Sequence, residues 1–255
     1  MEITIKTKEE IEILKKGGKI LAEVLRELEK LAKPGVSTGF LSRRAKEMII
    51  KRGAGPSFEG YKPSFSDKPY PAAICASLNE VVVHGLPSEK AVLKDGDILK
   101  LDLGVEYKKL FTDAAITIGI GEISKEKQRL MDITERALEL AIEEIKPGNH
   151  IGDIGFAIEN YIEGNGFYVV EILVGHGVGY AVHEEPNIPN YGKRGGGPIL
   201  KPGMVLAIEP MAALKNRKVQ LSKDGFGYEV LDGSISAHFE HTVAVTDDGY
   251  KVLTK

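Results

Sequence analysis

The 255-residue sequence contains one cysteine, Cys75. A single thiol excludes an internal disulfide and any zinc cage built on cysteine, and it fits a reducing compartment. Long apolar runs are missing too, and none approaches the roughly 18 residues of a membrane span. The first ten residues carry charges where a secretion signal needs its apolar stretch, so a cytoplasmic location and no membrane partner are expected. Charge of one sign is also lacking: 34 Lys and Arg against 37 Asp and Glu leave a net charge of −3. Such a chain has no overall electrostatic footprint for nucleic acid. With 42% hydrophobic and 28% charged residues, 29 Gly and 12 Pro, the composition excludes collagen-like, low-complexity and largely disordered classes. The length allows one large domain or two small ones, and either buries a full core.

What is present is patterned. Ile11, Leu14, Gly18, Leu21, Leu25, Leu28 and Leu31 recur at helical spacing over 8–32, and Lys33-Pro34-Gly35 stops the run. A second helix is predicted over 37–52, capped by Ser37 or Thr38, with Leu41, Ala45, Met48 and Ile49 on one face. Arg43, Arg44, Lys46, Lys51 and Arg52 on that stretch read as a solvated face. Strands are predicted at 74–83, 98–103 and 112–118, and helices at 125–145 and 153–163. Beyond 168, short strands and Gly/Pro-rich turns dominate.

This order repeats. Lys33-Pro34-Gly35, a helix and Gly53 reappear as Lys146-Pro147-Gly148, a helix and Gly166, at an offset of 113. His84 in its Val-His-Gly context echoes His183 at an offset of 99, and Asp102 echoes Glu209 at an offset of 107. Three matches in the same order predict a duplicated half-domain, with halves of about 1–120 and 121–255. Two helix-plus-antiparallel-sheet halves would pack as one α+β domain over 1–255 with pseudo-two-fold symmetry.

Chemistry concentrates on carboxylates in apolar strands. If 99–113 forms a hairpin centred between Tyr107 and Lys108, Asp102 faces Asp113. Two like charges at that separation, amid Leu101, Leu103, Ala114 and Ala115, are costly unless a cation lies between them. Two solvent-facing aspartates near a turn are the plain alternative. Glu209 ends the apolar run Val205-Leu206-Ala207-Ile208, and Glu240 takes the strand face opposite Phe239, Val243 and Val245. Glycines at 175, 177 and 179 disfavour a helix around His176 and let the backbone come close to another group. His176, His183 and His84 are candidates for function, whereas His150, His238 and His241 read as ordinary packed or surface histidines. Four carboxylates plus imidazole, with no thiol, suit Mn, Fe(II), Co or Mg better than structural zinc, and four negative charges match two divalent cations.

At these residues the chain resembles the short bacterial-type methionine aminopeptidases, in the pita-bread metalloprotease family. The resemblance spans nearly the whole chain. It rests on 74–87, 97–104, Gly175-His176-Gly177-Val178-Gly179, His183-Glu184-Glu185-Pro186 and 201–210. It implies a pita-bread fold and two divalent metal ions (Co, Mn, Fe(II) or Zn) held by Asp102, Asp113, His176, Glu209 and Glu240, with Asp113 and Glu240 bridging. It further implies removal of the initiator methionine from nascent chains with a small second residue, by attack of a metal-bridging hydroxide. In that scheme Glu209 is the general base, His183 holds the scissile amide or the oxyanion, and His84 contacts substrate and assists proton transfer. The same resemblance puts Tyr70, Cys75 and Phe226 on the methionine pocket, with Val182 in place of the aromatic some relatives carry. The stretch 61–68 reads as slightly longer than in relatives. Partners would be nascent polypeptide N-termini and the ribosome surface, with a monomer expected. The rival readings are a Xaa-Pro aminopeptidase or dipeptidase on the same fold, usually with an extra N-terminal domain, and a metal-free binding module.

Overall fold

The computed structural model describes residues 2–63 and 66–255, so Ser64 and Phe65, within the stretch read as lengthened, lie outside the described residues. Among the described residues four helices form: α1 (Lys8–Leu31), α2 (Thr38–Lys51), α3 (Lys125–Glu143) and α4 (Ile151–Gly164). Their starts follow from local chemistry. Thr7 and Glu10 make a reciprocal capping box ahead of α1, and the hydroxyls of Ser37 and Ser124 accept from Phe40 N and Lys127 N. The basic residues of α2 meet acidic neighbours at the surface, Arg43 with Glu89 and Lys46 with Glu59 at 2.7 Å, which fits a solvated face. No helix among the described residues is long and apolar enough to cross a membrane.

The strands are β1 (Gly55–Pro56), β2 (Cys75–Leu78), β3 (Val81–Val83), β4 (Ile98–Tyr107), β5 (Leu110–Gly119), β6 (Tyr168–Val169), β7 (Val174–Gly177), β8 (Glu184–Pro189), β9 (Val205–Ile208), β10 (Met211–Ala213), β11 (Val219–Leu221), β12 (Tyr228–Val230), β13 (Ser236–His238), β14 (Glu240–Thr246) and β15 (Gly249–Val252). The central antiparallel sheet runs β1-β4-β5-β14-β9-β7-β8, with β2 on β4 and β15 on β14. Two three-stranded sheets, β13-β10-β6 and β11-β12-β3, complete the sheet structure among the described residues. Odd-numbered residues of β4 (Leu99, Leu101, Leu103, Val105) are buried with the apolar residues of α1 and α2, which leaves Asp102 on the other face. Leu206, Ile208, Val243 and Val245 of β9 and β14 are buried with those of α3 and α4.

One expectation needs correction. The β4–β5 ladder pairs Asp102 with Ala115 and Gly104 with Asp113, so Asp102 and Asp113 are diagonal neighbours rather than directly opposed. The chain turns on Lys108 and Lys109, both at positive φ (52° and 66°), the two-residue conformation that matches strand twist. Asn-Gly would have announced that turn; two lysines do not. The error is two residues, so side-chain parity survives and both carboxylates stay on one face.

The predicted repeat has a geometric counterpart. Gly35 N donates to Leu93 O (2.9 Å) and Leu93 N to Val36 O (2.8 Å), while Gly148 N donates to Leu200 O (3.0 Å) and Leu200 N to Asn149 O (2.7 Å). Gly35 and Gly148 take nearly the same left-handed φ, 89° and 91°. The same hook thus precedes α2 and α4.

Candidate metal centre

The open face of the sheet borders a cavity of about 510 Å³, lined by Asp102, Asp113, His176, Glu209 and Glu240 together with Tyr70, Cys75, His84 and His183. Each acid arrives by a different route. Asp102 is the cross-strand partner of Cys75. Asp113 is set by Thr242, whose hydroxyl accepts from Asp113 N (2.9 Å) and donates to Asp113 O (2.7 Å), locking β5 beside β14 and Glu240. Glu209 follows β9, where the Asn190 amide holds its carbonyl at 3.1 Å. His176 rides on β7, which lies flush between its neighbours because of its glycines. A Cβ on Gly175 would sit 2.5 Å from Ala207 O, and one on Gly177 would sit 2.2 Å from Glu185 O.

Ligand atoms of Asp113, His176 and Glu240 all lie within 4.8 Å of one another, and all three residues are buried. His176 Nε2 is 3.4 Å from Glu209 Oε1, and the carboxyls of Asp102 and Asp113 are within hydrogen-bonding reach. Burial, then the neighbouring carboxylates, push Asp102, Glu209 and Glu240 well above the usual carboxylate range. Burial likewise raises Asp113 to about 7. The imidazoles move the other way: burial lowers His84 and His176 to about 4, and His183, which keeps contact with solvent, is lowered by the protein packed around it and then by His176 beside it. Asp102 Oδ1, Asp113 Oδ1 and Glu240 Oε1 are buried without a hydrogen-bond partner. Three orphaned acceptors beside a neutral imidazole and a fourth acid form a hard, oxygen-rich donor set, which fits divalent cations.

The pocket residues are placed unequally. Tyr70 and Cys75 line the cavity, and Tyr70 Oη donates to Gly85 O at 3.0 Å. Phe226, expected on the methionine pocket, is not among the lining residues. It packs edge-on against Tyr70, ring centroids 5.3 Å apart, in one apolar cluster with Phe58, Cys75 and Val182. His150 and His241 behave as ordinary histidines, with Nδ1 at 2.8 Å from Gly197 O and 2.9 Å from Thr254 Oγ1. His238 does not: it is buried with Nε2 3.5 Å from Glu209 Oε2, and burial lowers it to about 3. Its even-numbered spacing from Glu240 was the available signal. Tyr61, whose hydroxyl meets His183 Nδ1 at 2.8 Å, lies in a loop with no periodicity to betray it.

These features define a metallopeptidase. A model of metallopeptidase family M24 matches residues 12–247, and the chain belongs to that family. Within it, the chain groups with the methionine aminopeptidases. It is 44% identical over 253 residues, 99% of each chain, to methionine aminopeptidase 1 of Bacillus subtilis. The crystal structure of methionine aminopeptidase from Thermotoga maritima superposes with a TM-score of 0.96 at 43% identity, covering 100% of both chains. The prolidase of Pyrococcus furiosus shares the fold at a TM-score of 0.79 and 26% identity, but this chain covers only 65% of it. The architecture is the pita-bread fold.

Proposed function

We propose that the chain is a metal-dependent aminopeptidase that removes the initiator methionine from nascent proteins and peptides with a small second residue. The observation that carries this is the convergence of three buried carboxylates, the partly buried Glu209 and His176 on one cavity, in a chain whose full-length relatives are methionine aminopeptidases. Asp102, Asp113, His176, Glu209 and Glu240 would hold two divalent cations, with Asp113 and Glu240 shared. Such ions supply Lewis acidity to water and to the scissile carbonyl.

The chain's own groups do the rest. Glu209, the carboxyl that reaches the cavity from the end of β9, accepts a proton from water and returns it to the leaving amine. His183, neutral in its setting, donates to the scissile amide or the developing oxyanion. His84 contacts the substrate near the departing nitrogen. Tyr70, Cys75, Phe58 and Leu173 form an apolar wall suited to an unbranched side chain. The acid-lined end of the cavity takes the free α-amine, so acylation of that amine removes its docking group. The two hooks at α2 and α4 support a duplicated half-domain, and the reading places a single catalytic unit in the cytoplasm.

The test is a panel of Met-Ala-Ser, N-acetyl-Met-Ala-Ser and Xaa-Pro peptides with added Co or Mn. Cleavage of the first alone is expected. Preference for Xaa-Pro would move the chain to the prolidase side of the fold, and silence on every peptide, with no metal on elemental analysis, would make it a binding module.

A further inference from the structure

Tyr61 and Tyr70 are tied together across the loop between them: Gly60 N donates to Tyr70 O at 2.8 Å and Tyr70 N to Tyr61 O at 2.7 Å. Tyr61 N in turn donates to Phe58 O at 3.0 Å. The base of the loop is therefore fixed to the cavity wall, and Tyr61 lines the cavity. Its hydroxyl lies 2.8 Å from His183 Nδ1, with ring centroids 5.1 Å apart. The His176 ring, with its centroid 4.3 Å from that of His183, packs against it as well.

A neutral imidazole has one donor and one acceptor nitrogen. A group that stabilises a developing oxyanion must donate to it. With Nδ1 engaged by Tyr61, Nε2 is the nitrogen left for substrate, so it must carry the proton and Nδ1 must accept. We propose that Tyr61 is a positioning residue whose hydroxyl donates to His183 Nδ1 and so fixes the Nε2–H tautomer that donates to substrate. This rests on the reading of His183 as the group that meets the scissile amide or oxyanion. Burial raises the Tyr61 phenol above its ordinary value, so it stays a donor through neutral and mildly basic pH. Nothing in local sequence pattern points to Tyr61, because the contact joins residues 122 apart.

The experiment is Tyr61→Phe in the zinc-loaded enzyme, read in two independent ways. Histidine-selective ¹⁵N NMR, with His183 assigned by His183→Gln, reports which ring nitrogen is protonated. The parent is expected to show protonated Nε2 and bare Nδ1, and the variant a mixture. Steady-state kinetics on Met-Ala-Ser should show kcat lower by about tenfold or more, with KM within about twofold and metal content unchanged. A parent with the proton on Nδ1, or a variant with an unchanged tautomer, overturns the proposal whatever happens to kcat. A shifted tautomer with unchanged kcat keeps the hydrogen-bond assignment and instead overturns the catalytic reading of His183.

Discussion

Substituting Asp113 by Asn should separate stability from metal binding, because the two move in opposite directions. In the metal-free chain Asp113 is buried with a Glu240 oxygen within 4.8 Å. The cost that Asn removes is chiefly that of burying the Asp113 charge with no cation beside it. The rise of the Asp113 carboxyl from 3.8 to about 7 corresponds to about 4 kcal/mol at roughly 1.4 kcal/mol per pH unit. A carboxyl raised in the folded state contributes stability that is complete below about pH 4 and lost as pH climbs through the folded value near 7. By pH 8 the full penalty applies. Asn removes the charge but brings two buried amide N–H donors, of which the neighbouring Asp102 carboxyl can accept one, and accommodating the other cancels part of the gain at about 1–3 kcal/mol. The metal-free variant should therefore melt about 2–8 °C above the metal-free parent at pH 8. Adding Mn or Co should raise the parent's melting temperature strongly and the variant's little, and the variant should be inactive. Calorimetry with and without chelator decides it. A metal-free variant no more stable than the parent at pH 8, or one with undiminished metal stabilisation, refutes the reasoning.

Two other perturbations test the frame around the site. Lys100 is wholly buried, its Nζ donating to Asn79 O (2.6 Å), Ser236 O (3.2 Å) and Ser236 Oγ (3.3 Å), so it joins the approaches to β3, β4 and β13. Lys100→Met should cost about 1–3 kcal/mol in denaturant unfolding, and an unchanged midpoint would contradict this. Burial lowers His241 to about 4. Its stabilising contribution is present above its unfolded value near 6.5 and lost as pH falls toward 4. His241→Gln should therefore lose less of its neutral-pH melting temperature at pH 4.5 than the parent does, and an equal or larger loss would show that this imidazole does not contribute to acid lability.

Much of the scaffold was legible because it rests on local rules. The leucine stripe of α1 and the Ser37 cap of α2 are visible without any tertiary information. So was the closeness of Asp102 and Asp113, since parity on a hairpin outlives a small error in register. The register itself escaped because Lys108 and Lys109 adopt a glycine-like conformation without glycine. Convergence is harder to read. Nothing in the spacing of Glu209 and His238 says that their side chains meet: Glu209 lies just ahead of β10, and it is the pairing of β10 with β13, setting Met211 opposite His238, that brings them together. Phe226 was assigned to the pocket by likeness alone, and it packs edge-on against Tyr70, which lines the cavity. Thr242 acts by a pair of hydrogen bonds across 129 residues and Tyr61 by one across 122, which no periodicity encodes.

The most direct measurement is a calorimetric titration of the chelator-treated chain with Mn or Co at pH 7.5, run beside hydrolysis of Met-Ala-Ser at each point. Two ions per chain are expected, with activity rising from zero as they bind and protons released on binding. Hydrolysis that persists in the fully metal-free chain, or a chain that takes up no divalent ion, would contradict a cavity whose acids gather around cations.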